Sequence, residues 1–164
     1  MAKKQTKQPP KLQEALVLFK YILRLFGCRD LAALSEDLKD PALEGVDDDG
    51  TSRIFYALKS HLYTGYEITE EMLFEYDRHI VQFTKEINEH REDKITWKYY
   101  QYLALLFTEI YLDRYFSDKQ TLLESINRFL IEDFNARPET WHEMPDFTED
   151  DLNKLAFWCA TGSG

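Results

Sequence analysis

At 164 residues, with 44% hydrophobic and 30% charged side chains, the chain is one domain's worth of sequence, long enough to bury a core without disulfides or metal clips. Its formal charge is −10, and because Lys3, Lys4, Lys7 and Lys11 all lie in the first eleven residues, the remainder from Leu12 carries −14 (−10 less the four tail lysines). A body that acidic repels a phosphate backbone, which excludes nucleic-acid binding through most of its surface.

Cys28 and Cys159 lie far apart with no C-x-x-C pairing, as expected of reduced thiols in a cytoplasmic protein. The tail Met1 to Lys11, with Pro9-Pro10, is basic and polar, lacks the apolar centre of an export signal and is expected to be disordered. The longest uncharged apolar run, Tyr99 to Thr108, is bounded by Lys98 and Glu109 and falls far short of a bilayer span, so no membrane partner is expected.

Helical periodicity dominates the rest, and the predicted fold class is all-α, an irregular bundle of about six helices. Leu12, Leu16, Phe19, Ile22 or Leu23, and Phe26 repeat at three- and four-residue steps up to Gly27, predicting one helix with a glycine C-cap. A short second helix is expected over Asp30 to Lys39 around Leu31, Leu34 and Leu38, ended by Pro41. Pro41 to Gly50 reads as a loop. Its Asp47-Asp48-Asp49-Gly50 run fails the calcium-loop pattern, since setting Gly50 at the sixth position puts Gly45 first and Tyr56 twelfth, where an Asp and a Glu are required. A solvated turn leading into the next helix is the reading that remains.

The third helix is predicted from Thr51 or Ser52 to Tyr63, with Ile54, Phe55, Leu58 and Leu62 inward. The fourth starts at Thr69, an N-cap followed by Glu70 and Glu71, and its expected inner stripe is Met72, Tyr76, Ile80, Phe83 and Ile87. The fifth, about Thr96 to Phe116, is apolar or aromatic on nearly every side and is expected at the centre of the bundle. The sixth follows from Ser117 or Asp118, with Leu122 or Leu123, Ile126, Phe129 or Leu130, and Phe134 inward, and stops before Pro138. Arg137 to Phe147, including Trp141, reads as a loop. Thr148-Glu149-Asp150-Asp151 then opens a short helix through an acidic variant of the capping box.

Few constellations carry chemistry. The histidines His61, His79, His90 and His142 show no ligand spacing: His79 and His90 fall about 16 Å apart along one helix. Glu109 and Asp113 sit one turn apart on the fifth helix and could serve as paired acids, but no Glu-x-x-His motif accompanies them, and Arg114, Arg128 or Lys119 would suffice as structural partners. The tyrosines from Tyr99 to Tyr115 are read as core residues before base-stacking platforms, given the acidic surroundings. No motif of a serine, cysteine or zinc hydrolase is present, and no catalytic residue is assigned.

One run points further. Leu155-Ala156-Phe157-Trp158-Cys159 has the length and bulk of a buried parallel strand, and it leads into Ala160-Thr161-Gly162-Ser163-Gly164. Strand followed by Gly-rich turn is the context in which backbone N–H groups cradle nucleotide phosphates, before a lysine that reaches the outer phosphates and a Ser or Thr that holds Mg²⁺. The lysine and hydroxyl residue would come next, so the sequence reads as cut inside the motif. A flexible Gly/Ser linker is the competing reading.

The segment Leu152 to Gly164 resembles the entry to the first RecA-like domain of superfamily 2 helicases of the DEAD/DEAH type, related to the restriction subunit of type III restriction enzymes. These commonly read Met-Ala-Thr-Gly-x-Gly, and Cys159 stands at the place of the Met. The resemblance covers about the last dozen residues. It implies a basic tail (1–11), a helical N-terminal domain (12–147) and the start of a RecA-like ATPase domain (148–164). It further implies that Ala160, Thr161, Gly162, Ser163 and Gly164 form part of a site for ATP and Mg²⁺ in a DNA or RNA translocase of restriction or phage defence, with nuclease activity an open possibility. The partners expected are the remaining helicase core and, through that core, nucleic acid. Alone the segment lacks the groups needed for turnover. The alternative is an acidic helical adaptor that binds a protein partner and carries a linker-like C-terminal run.

Overall fold

The computed structural model describes residues 12–62, 65–137 and 143–157, and among these all regular structure is helical. The expected basic tail, the end of the third helix at Tyr63, Pro138, Trp141 and His142 of the loop, and Trp158 to Gly164 lie outside the described residues.

The first predicted helix is divided in two. Helix α1 (Leu12–Ala15) is one turn, and Leu16 takes extended backbone before α2 (Val17–Leu25). Leu12 is half exposed, so that turn gains too little burial to be held in line with the helix that follows. The α2 end is as expected: Gly27 takes φ +75°, its N–H donates to the Arg24 carbonyl (2.8 Å) and the Cys28 N–H to the Leu23 carbonyl (2.9 Å), a Schellman closure. Helix α3 (Leu31–Ser35) is capped by the Asp30 carboxylate on the Ala33 N–H (2.9 Å), continues as a 3-10 turn over Glu36–Lys39, and buries Leu34 and Leu38.

The loop before α4 (Arg53–Lys59) is ordered by one side chain. Arg53 donates to the carbonyls of Ala42, Glu44 and Val46 and to the Asp47 carboxylate (2.9 Å), while Val46 and Ser52 form an antiparallel bridge. Four acceptors around one guanidinium satisfy loop carbonyls that would otherwise depend on water. Ser52 caps α4 through the Phe55 N–H (3.0 Å), but the helix stops at Lys59, short of the predicted end. There the Ser60 hydroxyl donates to the Ala57 carbonyl and the His61 N–H to that of Leu58, closing a tight final turn.

Helix α5 (Glu70–Glu89) begins at the expected cap, Thr69. Its buried face is Leu73, Tyr76, Asp77 and Ile80; Phe83 (56% exposed) and Ile87 (47%) of the predicted stripe lie outside it. The face is rotated because α5 packs against α4 on one side and α6 on the other, and Asp77 replaces an apolar residue between them. Helix α6 (Tyr99–Ser117) starts later than predicted. The Asn88 carboxamide holds both backbone groups of Ile95, and the Trp97 indole donates to Thr84 (2.6 Å), keeping this stretch out of the helix.

Helix α6 runs antiparallel to α5, as Tyr76–Asp113 and Thr84–Trp97 contacts at opposite ends require. It also meets α2 through Phe107, which packs on Phe19 and Phe26 (centroids 6.1 and 6.2 Å). Its central place is therefore as expected, except that Leu112 (37%) and Phe116 (79%) remain uncovered. Asp118 ends α6 and caps α7 (Lys119–Phe129), whose inner residues Leu122, Ile126 and Phe129, with Leu130 and Phe134 of a following π-helical turn (Leu130–Phe134), are those predicted. Tyr21 of α2 packs edge-on against Phe129 (5.8 Å) and its hydroxyl donates to Ser125 (3.0 Å), joining α2 to α7.

Candidate functional site

Ala160 to Gly164, the predicted phosphate-loop residues, lie outside the described residues. The segment that leads to them, 143–157, is described and is tied to the bundle at Met144, Phe147, Leu152 and Asn153. The Asn135 carboxamide donates to the Met144 carbonyl and accepts its N–H (both 2.9 Å). Asn127 does the same for Phe147 (2.9 and 2.7 Å). Each amide thereby imitates a neighbouring strand for one residue of irregular backbone. The third tie is Tyr111, whose hydroxyl donates to the carbonyl of buried Leu152 (2.6 Å).

Around that tie the tyrosines of α6 take up a defined arrangement. Tyr111 and Tyr115 stack (6.2 Å, 24°), the Tyr115 hydroxyl donates to the Asn153 side-chain oxygen (2.6 Å), and Lys119 donates to the same oxygen (3.3 Å) while lying over the Tyr115 ring (5.3 Å). Burial first, and then the neighbouring Tyr115, push the Tyr111 hydroxyl above its ordinary pKa. A groove of about 200 Å³ opens here, lined by Tyr111, Leu112, Tyr115, Leu152, Asn153 and Leu155. Tyr111 and Tyr115 thus serve as packing and positioning groups for the C-terminal segment.

The expected helix at Thr148 is reduced to one 3-10 turn, Asp151–Asn153. The acidic half of its cap does form: Asp151 accepts from the Thr148 hydroxyl (2.7 Å) and N–H (3.0 Å), which lowers its pKa in that order of effect. Lys154 to Phe157 carry no regular structure, and Leu155 (38%) and Phe157 (55%) are exposed. The described part of the expected buried strand is therefore not a strand here; a parallel strand needs neighbours to pair its backbone.

The other candidates find structural partners. Glu109 and Asp113 are not met by Arg114, Arg128 or Lys119. His79 Nδ1 lies 3.3 Å from Glu109 and Tyr76 donates to Asp113 (2.7 Å), both across the α5–α6 contact, while Arg114 reaches Glu67 (3.0 Å). Burial and then the Asp113 hydrogen bond raise the Tyr76 pKa well above the ordinary tyrosine range. His61 Nε2 sits 3.3 Å from an Asp37 oxygen without the alignment of a hydrogen bond, and His90 caps α5; His142 lies outside the described residues. In the acidic loop Asp49 accepts from Tyr56 (2.5 Å) and the Thr51 N–H (2.9 Å), which lower its pKa, and Asp47 pairs with Arg53. Among the described residues no three His, Cys, Asp or Glu side chains converge as a metal ligand set.

One constellation escapes sequence reading. Asp77, 1% exposed, accepts from the Ser52 N–H (3.0 Å), the Ser52 hydroxyl and the Tyr102 hydroxyl, linking α4, α5 and α6. The Tyr102 hydroxyl is held far above its usual pKa by burial and then by the Asp77 charge. Ser52 is buried, and the trio locks the three helices together. Only the capping role of Ser52 could have been read in advance.

No family model, curated protein or solved structure matches this chain. No helix among the described residues is long and apolar enough to cross a membrane. The segment is fastened at residues 144, 147, 152 and 153, and Leu155 and Phe157 are exposed beyond the last of these.

Proposed function

We propose that residues 12–147 form the helical accessory domain, and residues 148–164 the start of the ATPase domain, of a cytoplasmic, ATP-dependent DNA or RNA helicase or translocase of superfamily 2, related to type III restriction subunits and acting in restriction or phage defence. The observation that carries this reading is the course of residues 152–157. The chain is anchored at Leu152 and Asn153, then presents Leu155 and Phe157 outward on the way to Ala160-Thr161-Gly162-Ser163-Gly164. Exposed apolar residues directly before a phosphate-binding sequence suit a strand that pairs only within a complete ATPase sheet.

In this reading Thr161, Gly162, Ser163 and Gly164 lend backbone N–H groups to ATP phosphates, and Mg²⁺ is held by residues of the ATPase core. With −14 charges from Leu12 onward, the helical domain braces the motor or docks a protein partner, and nucleic acid is gripped elsewhere.

The test starts with the coding DNA, where Lys-Thr or Lys-Ser is expected directly after codon 164. The protein extended through the encoded core is expected to hydrolyse ATP faster when nucleic acid is added, and replacement of that lysine by alanine to abolish turnover. A stop codon or vector sequence at this place refutes the assignment. The second reading, an acidic adaptor for a protein partner, draws its support from Phe83 and Ile87, exposed one turn apart on α5. A partner whose binding is lost on Phe83→Asp, with no ATPase encoded downstream, selects it.

A further inference from the structure

We infer that the groove between α6 and residues 152–155 binds a small carboxylate with an apolar body, an aromatic or short aliphatic acid. Its floor is Tyr111 and Leu152, both buried, and the Tyr111 hydroxyl and Leu152 carbonyl satisfy each other. What remains there for an occupant is hydrocarbon and ring surface, which gains by shedding water. Leu112 (37% exposed) and Leu155 (38%) line the open side together with the ring of Tyr115, itself stacked on Tyr111. At about 200 Å³ the groove is smaller than the roughly 300–1,000 Å³ of drug-sized sites, which limits the occupant to one ring or a short chain.

The polar end of the groove selects the charge. Asn153 lines it, and its side-chain oxygen accepts from both Tyr115 and Lys119 (2.6 and 3.3 Å). An ammonium only donates, so this atom is the oxygen, and the carboxamide NH₂ on the other side has no acceptor among the described residues. Lys119 Nζ lies 5.3 Å from the Tyr115 centroid and has no carboxylate partner among the described residues. The acids nearest along the chain are engaged: Asp118 with Thr121, Asp113 with Tyr76, Asp151 with Thr148. An amide donor and an unpaired ammonium beside apolar walls fit a carboxylate that carries its own hydrocarbon. On a chain of net charge −10 this local preference opposes the overall field, which draws in cations. The site lies within residues 111–155 and does not depend on an ATPase following residue 164.

Phenylbutyrate and phenylbutylamine, alike in ring and chain and opposite in charge, test this by NMR titration of the isotope-labelled 164-residue chain. Phenylbutyrate is expected to shift the amides of Leu112, Tyr115 and Leu155 and the side-chain NH₂ of Asn153. Its Kd is expected on the order of a millimolar, as suits about a dozen heavy atoms in an open groove. At low ionic strength the amine is expected to bind about fivefold more weakly, against the direction set by the net charge. Lys119→Gln is expected to weaken phenylbutyrate about fivefold and to bring the two probes level, while Lys119→Arg stays close to the wild type. Leu112→Asp, at an exposed position, is expected to remove binding. Equal affinity for acid and amine in the wild-type chain, shifts that gather away from the groove, or no shifts at about 10 mM phenylbutyrate overturn the assignment. Unchanged binding by Lys119→Gln or by Leu112→Asp does the same. Shifts of these amides that depend on protein concentration without any probe give the groove to a second copy of the chain and also overturn it.

Discussion

Replacing Asp77 by alanine is the sharpest perturbation of this fold, because a single carboxylate accepts every hydrogen bond that joins the start of α4 to α6 through α5. The variant leaves the Ser52 N–H and the Tyr102 hydroxyl buried without an acceptor, each at a cost of about 1–3 kcal/mol. Removing a buried charge returns part of that loss, since the carboxylate no longer has to be desolvated. The expected net destabilisation is about 3 kcal/mol, which for a chain of this size lowers Tm by roughly 6–12 °C. Asp77→Asn separates geometry from charge. Its amide oxygen can still face the Ser52 N–H, which cannot turn, while the amide NH₂ faces two hydroxyls that can rotate to accept. This variant is expected to lose about half as much, roughly 1–2 kcal/mol. Urea unfolding followed by circular dichroism gives both values. A loss below about 1 kcal/mol for Asp77→Ala, or a larger loss for Asn than for Ala, would refute the view that these bonds hold the three helices together.

Gly27→Ala is expected to cost about 2 kcal/mol in the same assay: the residue must keep φ +75°, and a Cβ there would lie 2.5 Å from the Tyr66 ring, which has to swing away. Asn127→Ala, which frees both backbone groups of Phe147, is expected to cost about 1–2 kcal/mol and to bring faster proteolytic cleavage within 143–150; an unchanged cleavage rate counts against the clip. The pKa values of Asp49, Asp118 and Asp151 are lowered from 3.8 chiefly by hydrogen bonds to the carboxylates, so their contribution to stability is present above pH 3.8 and is lost as pH falls through their folded values. Tm is therefore expected to drop on acidification below that point, and Asp118→Asn to flatten the drop. At the alkaline end Tyr76, Tyr102 and Tyr111 have raised pKa values, so their stabilising effect holds below pH 10 and fades above it; spectrophotometric titration is expected to show them ionising above the ordinary tyrosine value.

Much of the helical order was legible because capping is decided by adjacent residues. Asp30, Ser52, Thr69 and Asp118 each sit where a side-chain oxygen meets an N–H three residues on, and no distant contact is needed to see it. The Gly27 closure and the inner face of α7 were readable on the same local grounds. Even the Thr148–Asp151 cap formed, although the helix it should have opened did not.

Tertiary packing decided the rest, since periodicity states that a helix has an apolar side without stating what lies against it. Phe83 and Ile87 continue the stripe of α5 in sequence, yet α4 and α6 close over Leu73, Asp77 and Ile80. Glu109 and Asp113 have cations nearby along the chain and take His79 and Tyr76 from another helix, because side chains of antiparallel neighbours meet whatever their separation in sequence. Asp77 carries no signal along its own helix and becomes a buried lock only once Ser52 and Tyr102 arrive with three donors. The residues alone thus set where helices start and what caps them, while the assembled bundle chose which faces to bury, for burial is a property of the pair in contact and not of either helix.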